Sequence, residues 1–225
     1  MKYYFLKLSQ FMSLIVLLWC QVVPAQAGQN QARGVDPALR AELLAMMEED
    51  QKARAALLKS IAKTQESAKA NNRTDSSHSE AEESKKAREA RRHAKEVGER
   101  HLGRMRELVK RHGWPEKRLV GRDGAHAAWL LVQHSDSDPT FQVNCLALMK
   151  AAEAGEVERA DVAYLTDRIR VGANQPQVYG TQVRDDLTPH EIEDFKNVDR
   201  RRASVGLEPL ADYLQSVRAA YGKDE

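Results

Sequence analysis

The chain has 225 residues, enough for one domain of ordinary size and an additional N-terminal segment. Charged residues make up 30% of it and aromatic residues only 6%, so its core must consist mainly of Leu, Ala, Val and Met. The 35 basic residues nearly balance the 33 acidic ones, which argues against the strongly basic composition of many nucleic-acid-binding proteins. We therefore do not expect nucleic acid as a partner.

Residues 1–27 predict a secretory signal peptide. Lys2 and Lys7 form its positive start, an apolar run follows over residues 11–23, and Ala25-Gln26-Ala27 supplies small residues for cleavage before Gly28. The apolar run is shorter than the ~20 residues of a membrane span, which argues against an uncleaved membrane anchor. We expect no transmembrane segment after cleavage. The sequence thus predicts an exported protein, either periplasmic or secreted.

Cleavage leaves a single cysteine and an equal number of basic and acidic residues. A lipoprotein would use Cys20, but the bulky Trp19 before it disfavours that interpretation. Cys145, the cysteine that remains, lies in an apolar helical stretch and has no partner for an internal disulfide. Its surroundings favour a buried core residue over a nucleophile.

Two long helices are predicted before the main domain. The first, over residues 36–69, begins with Asp36 as N-cap and Pro37 in the first turn, and belongs to an extension of residues 28–70. A polar linker is predicted at 71–83, followed by a helical domain at 84–225. The second long helix, over 82–112, is highly charged and is either a solvated face or an anion-binding stripe.

The remaining pattern predicts an all-α fold, an irregular multi-helix domain with a short extended or ribbon segment near 175–183. Glycines and prolines punctuate the apolar helical patterns. The predicted helices cover residues 123–135, 139–154, 157–171, 199–205 and 208–220.

Several fragments together resemble an uncharacterised bacterial family of unknown function. They are DQKAR at 50–54, HGWP at 112–115, GAHAAWLLVQHSDSDPTFQ at 124–142, AYLTDR at 163–168, QPQVYGTQ at 175–182 and DRRRASVGLEPL at 199–210. The resemblance extends over most of the chain beyond the leader. It implies no agreed activity, cofactor or catalytic residue.

The most reactive side chains lie in and just after the predicted helix 123–135. His134, Asp136 and Asp138 could hold a divalent metal, although we predict no cofactor and Asp138 before Pro139 is also typical of a helix N-cap. His126 and His134 are eight residues apart, too far for the paired histidines of a zinc helix. Acid–base chemistry would use His126 or His134, oriented by Asp136, Asp138 or Asp167.

A second group of polar residues predicts either an internal network or a ligand pocket. Gln133 and His126 could join the YGTQ segment, and Arg168 is placed to grip the carboxylate of Asp136, Asp138 or a ligand. Trp114 is expected to anchor the core or form the floor of a pocket. The ligand-binding candidates are Trp114, Gln133, Arg168, Tyr179, Thr181 and Gln182.

Three functions are compatible with these patterns. The leading hypothesis is an exported, non-catalytic helical domain that binds a small polar ligand or a protein partner in the cell envelope. The second is a hydrolase-type enzyme with a His/Asp site, either with or without a metal. The third is a structural protein that assembles through the long helices at 36–69 and 82–112.

Overall fold

The computed structural model describes the backbone of residues 34–70 and 77–221, and the side chains of residues 34–64 and 84–220. The predicted leader at 1–27, with Cys20, lies outside the described residues. Within the described ranges the chain forms seven α-helices and one short 3-10 helix, without a strand or sheet. The predicted all-α fold is confirmed.

The two long helices form an antiparallel hairpin. Helix α1 spans Pro37–Ala70 and α2 spans Ser77–His112. Asp36 caps α1, with its side chain accepting the backbone N–H groups of Ala38 and Leu39 at 3.0 Å. Buried leucines and methionines of both helices face the domain core, so the hairpin is packed into the domain rather than set apart from it.

Helices α3 (Lys117–Gln133), α4 (Pro139–Ala151) and α5 (Arg159–Gly172) complete the main core with the hairpin. Helix α3 is interrupted at Gly121, whose φ of 74° is a left-handed conformation that favours glycine, so one extra turn precedes the predicted start. From there α3 runs alongside α1, and Trp129 is almost completely buried between the helices. Cys145 of α4 is also fully buried, as its sequence predicts.

The C-terminal part adds a small second cluster. A long loop leads from α5 to a 3-10 helix at Phe195–Asn197, α6 at Val198–Ser204 and α7 at Leu210–Tyr221. Tyr213 and Val217 of α7 form the centre of this cluster, and Tyr164 of α5 packs against both clusters. Residues 177–183 of this loop are held between α5 and the last two helices, whereas residues 184–186 are exposed.

Two local expectations differ from the structure. The backbone of residues 77–83 is helical, so the first part of α2 occupies half of the predicted polar linker, while 71–76 lie outside the described residues. The predicted ribbon near 175–183 contains only isolated bridges, Gln177 with Ile192 and Val183 with Pro189. Backbone bonds join Gln177 and Gln182 to residues 190–193, while the backbone groups of residues 178, 179 and 181 bond to side chains.

Candidate functional site

The corner between α3 and α4 positions the histidine and aspartates that the sequence singles out. His134 ends α3 with its N–H bonded to the Leu130 carbonyl, and Ser135 bonds back to Leu131 through its hydroxyl at 2.8 Å. Asp138 then begins α4 by accepting the N–H of Phe141 at 3.1 Å. The short turn between these two helix ends carries Asp136 towards α5.

Helix α1 supplies the partners of His134. The Oδ2 atom of Asp50 lies 2.6 Å from His134 Nδ1, and both side chains are 4% exposed. Arg54, one turn further along α1, bonds both oxygens of Asp50 at 3.0 and 3.1 Å and the His134 carbonyl at 3.3 Å. The DQKAR and QHSD segments thus meet in one buried ionic group.

The surroundings set the protonation states of this group. Burial and the positive charge of Arg54 lower the pKa of His134 to about 4, despite the opposing effect of Asp50. Burial alone would raise the pKa of Asp50, but His134 and Arg54 outweigh it and hold that pKa well below its usual value. At neutral pH we therefore infer an ionised Asp50 accepting the Nδ1–H of a neutral imidazole.

Arg168 of α5 forms a salt bridge with Asp136, one of the partners that the sequence suggests. Its Nε and Nη2 atoms each lie 2.8 Å from one oxygen of that carboxylate, a bidentate pair. The amide nitrogen of Gln142 also donates to Asp136 at 3.4 Å and to the Val132 carbonyl at 3.1 Å. The Asp136 side chain is 38% exposed, so this polar cluster reaches the surface there.

The neighbouring Asp167 holds the YGTQ segment in place. Its carboxylate accepts the backbone N–H groups of Val178, Tyr179 and Thr181 and the Thr181 hydroxyl, at 2.7 to 3.1 Å. Gln177 adds bonds to both backbone groups of Gln182 at 2.8 and 2.9 Å. Burial raises the pKa of Asp167 in spite of these bonds. Asp167 therefore has a structural role, because it holds the backbone of the YGTQ segment in place.

One face of α3 carries two buried polar atoms that lack a hydrogen-bond partner among the described residues. They are Gln133 Oε1 and Trp129 Nε1, four residues apart and so on the same side of the helix. The rings of His126 and Trp129 stand 5.0 Å apart, and His126 lies 3.8 Å from Asp161. The expected network is thus centred on Arg168 and Gln182, which are 3.3 Å apart, and not on Gln133 with His126.

The three metal candidates face different partners. His134 bonds Asp50, Asp136 bonds Arg168, and Asp138 caps α4 while pairing with Arg106 at 2.5 Å. Across the residues whose positions are described, no group of three His, Cys, Asp or Glu side chains is arranged to hold a metal ion. The N-cap prediction for Asp138 accounts for its position.

Trp114 lines an open cavity of about 490 Å³ between the end of α2, the start of α3 and the end of α4. The other ligand candidates lie elsewhere: Arg168, Thr181 and Gln182 are buried among their own hydrogen-bond partners, and Tyr179 is half-buried. Gln133 lies on the face of α3 described above, so the sequence-predicted residues fall into three places rather than a single pocket.

Sequence reasoning missed Asp50 and Arg54 as site residues. A signal was present, because the buried face of α1 repeats at helical spacing and contains one carboxylate among apolar residues: Leu43, Met46, Asp50, Ala53 and Leu57. A charged side chain in such a stripe needs a buried partner. His101 of α2 occupies a similar position and pairs with Glu49 at 2.9 Å.

A family model that matches more than half of the chain identifies its family. The chain belongs to DUF6624, a family of unknown function. The model of DUF6624 matches residues 77–224, which contain His134, Asp136, Arg168 and the YGTQ segment. Asp50 and Arg54 lie outside the matched region, so the buried cluster joins the DUF6624 domain to the helix before it.

No curated protein and no solved structure matches the chain. For residues 34–70 and 77–221, none of the helices combines the length and the apolar character needed to cross a membrane.

Proposed function

We propose that this protein is exported and that its DUF6624 domain binds a small polar ligand beside Gln133 and Trp129 of α3. The supporting observation is the pair of buried polar atoms, one acceptor and one donor, that lack partners within the described residues. Leaving such a group unpaired costs about 1–3 kcal/mol, so a molecule that pairs with both would be bound favourably.

The chemistry of the two atoms defines the ligand class. Gln133 Oε1 needs a donor and Trp129 Nε1 needs an acceptor. Hydroxyl and amide compounds provide both within a small volume. The surrounding bonds of Gln142 and Arg168 hold the neighbouring backbone and side chains in fixed positions, which lowers the entropy lost on binding.

Gln133→Met tests this proposal, because methionine has a similar volume and no amide. Melting temperatures are measured with glycerol, acetamide and L-asparagine as probes. We expect at least one probe to stabilise the wild type and none to stabilise the variant, while the variant without probe is at least as stable as the wild type.

Gln177→Met is the matched control, since the amide of this buried glutamine bonds Gln182 and His190 and not the residues around Gln133. It should lower the melting temperature but keep the response to the probe. Equal responses of wild type and Gln133→Met would overturn the proposal. An ordered water bridging the two atoms in a crystal structure, with no probe response, would assign them to structural hydration instead.

A hydrolase-type activity is the second candidate, and the Asp50–His134 pair favours it. A neutral imidazole whose Nδ1–H is held by a carboxylate is the usual arrangement of a general base. Hydrolysis of p-nitrophenyl acetate should then be lost in His134→Gln and Asp50→Asn and retained in His126→Gln. Unchanged rates in the first two variants would reject this candidate.

Export rests on the leader pattern at residues 1–27. The protein is expressed with its leader, and the cell envelope and medium fractions are sequenced from the amino terminus. We expect the mature chain to begin at Gly28. A protein recovered only inside the cell with its leader intact would contradict this part of the proposal without affecting the ligand site.

A further inference from the structure

The cluster around α6 and α7 contains an arginine that is buried without an ion pair among the described residues. Arg202 of α6 has none of its surface exposed. Its Nε atom donates to the Glu208 carbonyl at 2.5 Å, and its Nη1 atom donates to the Tyr179 carbonyl at 2.7 Å. Its Nη2 atom has no hydrogen-bond partner among the described residues. Carbonyl groups carry no net charge, so these bonds orient the guanidinium without neutralising it.

A buried charge of this kind normally has a partner of opposite charge. Arg168 follows that rule, because it pairs with Asp136. Arg202 instead lies against the ring of Tyr213, with its Cζ atom 4.8 Å from the ring centre, which provides only a cation–π attraction. Burial lowers the pKa of Arg202, although two nearby carboxylates act in the opposite direction. The folded chain therefore compensates this charge incompletely.

The charges around Arg202 partly oppose one another. The two carboxylates, Asp199 and Glu208, act on Arg202 from beyond ion-pair distance. Asp199 accepts the N–H of Leu210 at 2.8 Å and so caps the start of α7. The carboxyl end of α6 favours a cation at Arg202, whereas the amino end of α7 favours an anion close by. None of these groups bonds the Nη2 atom, so a position for an anion remains beside it.

We propose that a small carboxylate binds beside Nη2 of Arg202 and neutralises the guanidinium. This site uses none of the groups proposed for the ligand on α3. Nη1 and Nη2 together can hold the two carboxylate oxygens, because the bonds described above leave N–H groups of the guanidinium unused. A divalent anion such as phosphate would bring more negative charge than a single arginine neutralises. Tyr164, Tyr179 and Glu208 near the guanidinium are only partly buried, which places the site close to the surface.

Acetate is the probe for this proposal. Sodium acetate, sodium chloride and sodium phosphate are titrated into the protein by calorimetry at neutral pH and equal ionic strength. We expect acetate to bind at least about tenfold more tightly than chloride or phosphate. Equally weak binding of all three would indicate an adventitious ion only, and that result, tighter binding of phosphate, or no binding of acetate would each overturn the proposal.

The carboxylate of Glu208 provides a test of position. Glu208→Gln removes a negative charge that opposes an anion beside Arg202, so it should tighten acetate binding about threefold. Glu191→Gln is the matched control, because Glu191 is exposed on the preceding loop, and it should leave the affinity within about 1.5-fold. A less stable Glu208→Gln protein, with no acetate binding to either chain, would show that Glu208 itself neutralises Arg202 and contradict the proposal.

Arg202→Met removes the charge and keeps a long side chain, so the folded variant should not bind acetate measurably. Wild-type affinity in that variant would place the acetate elsewhere and reject the site. If its circular dichroism spectrum shows that the variant does not fold, a crystal structure of the wild type grown in acetate decides instead. Acetate bonded to Nη2 supports the proposal, whereas a single water molecule in that position assigns the atom to structural hydration and rejects it.

Discussion

Asp50 and His134 illustrate how one side chain can connect two parts of a sequence. Each would be costly to bury alone, since an ionised carboxylate and an imidazole both lose hydration. At 2.6 Å the two side chains form a hydrogen bond that replaces part of the lost hydration, and Arg54 donates a further hydrogen bond to the carboxylate. The pair thus contributes to the specificity of docking between α1 and the corner after α3.

The depressed pKa of His134 predicts that acid destabilises the protein. Between pH 6.5 and about 4 the unfolded chain binds a proton that the folded chain does not, so stability falls as the pH decreases through this window. The full effect is about 3 kcal/mol. Urea unfolding at several pH values measures it in wild type and in His134→Gln, where this contribution should be absent.

Other groups can titrate in the same range, and a control separates them. Asp50, Arg54 and Arg168 are the charged groups that act on His134. His93 is exposed on α2, so His93→Gln should retain the wild-type pH dependence. If His134→Gln also retains the wild-type pH dependence of stability, the protonation of His134 is not coupled to folding.

Asp167→Asn is expected to destabilise the fold by at least about 3 kcal/mol. The carboxylate accepts three backbone N–H groups and a hydroxyl, and an amide would direct two donors towards these donors. Thermal melting of the wild type and of Asp167→Asn measures this loss of stability. Asp185→Asn, an exposed position on the same loop, should leave the melting temperature within a degree or two.

At the scale of elements, periodic apolar residues and glycine stops were enough to predict the α-helices. Capping chemistry was also readable, as at Asp36 and Asp138. The pairing of α1 with α3 could not be predicted in this way, because the contact between Asp50 and His134 joins residues 84 positions apart. Spacing along one helix carries no information about such a partner.

The extended segment near 175–183 shows a different limit. Valine and tyrosine beside a glycine are typical of a ribbon, and the local pattern could not show that Asp167 would bind its N–H groups. For the site, the contact between Arg168 and Asp136 could be predicted from charge, but not that the Gln133 oxygen would lack a partner among the described residues. Hydrogen bonding that depends on three or four helices at once is decided by the packed structure.

Removal of α1 should unfold the domain even though the DUF6624 match begins at residue 77. Leu39, Leu43 and Met46 belong to the main core, and Asp50 is the partner of His134. A chain starting at residue 77 would expose this apolar surface. We expect it to melt without a cooperative transition and to bind the dye ANS.

The opposite outcome would support a separate extension and an assembly role for the long helices. A fragment of residues 77–225 that melts as cooperatively as the full mature chain would show that α1 is dispensable for folding. A change of oligomeric state on its removal, with the domain intact, would then favour assembly. Light scattering on both chains provides that comparison.

For the whole molecule, Cys145 provides a reporter of global unfolding. Burial raises the pKa of its thiol to about 12, so the nucleophilic thiolate is scarce and shielded. We expect Cys145 to react with DTNB only at the rate at which the core opens, accelerating in urea in step with unfolding.

An exposed thiol is the control for this measurement. Ser137 lies on the surface of the corner, so Ser137→Cys should react within seconds in the folded protein. If Cys145 reacts as fast as that engineered thiol, its part of the core opens far more easily than its complete burial implies.

The loop fastened by Asp167 has a consequence for association between chains. An extended segment usually offers a row of free backbone groups on which another strand can build. Here Asp167 and Gln177 take up N–H groups, while Arg201, Arg202 and Tyr213 donate to the carbonyls of Val178, Tyr179 and Thr181. The segment is extended without presenting an edge, so it cannot act as a template for aggregation while those side chains remain in place.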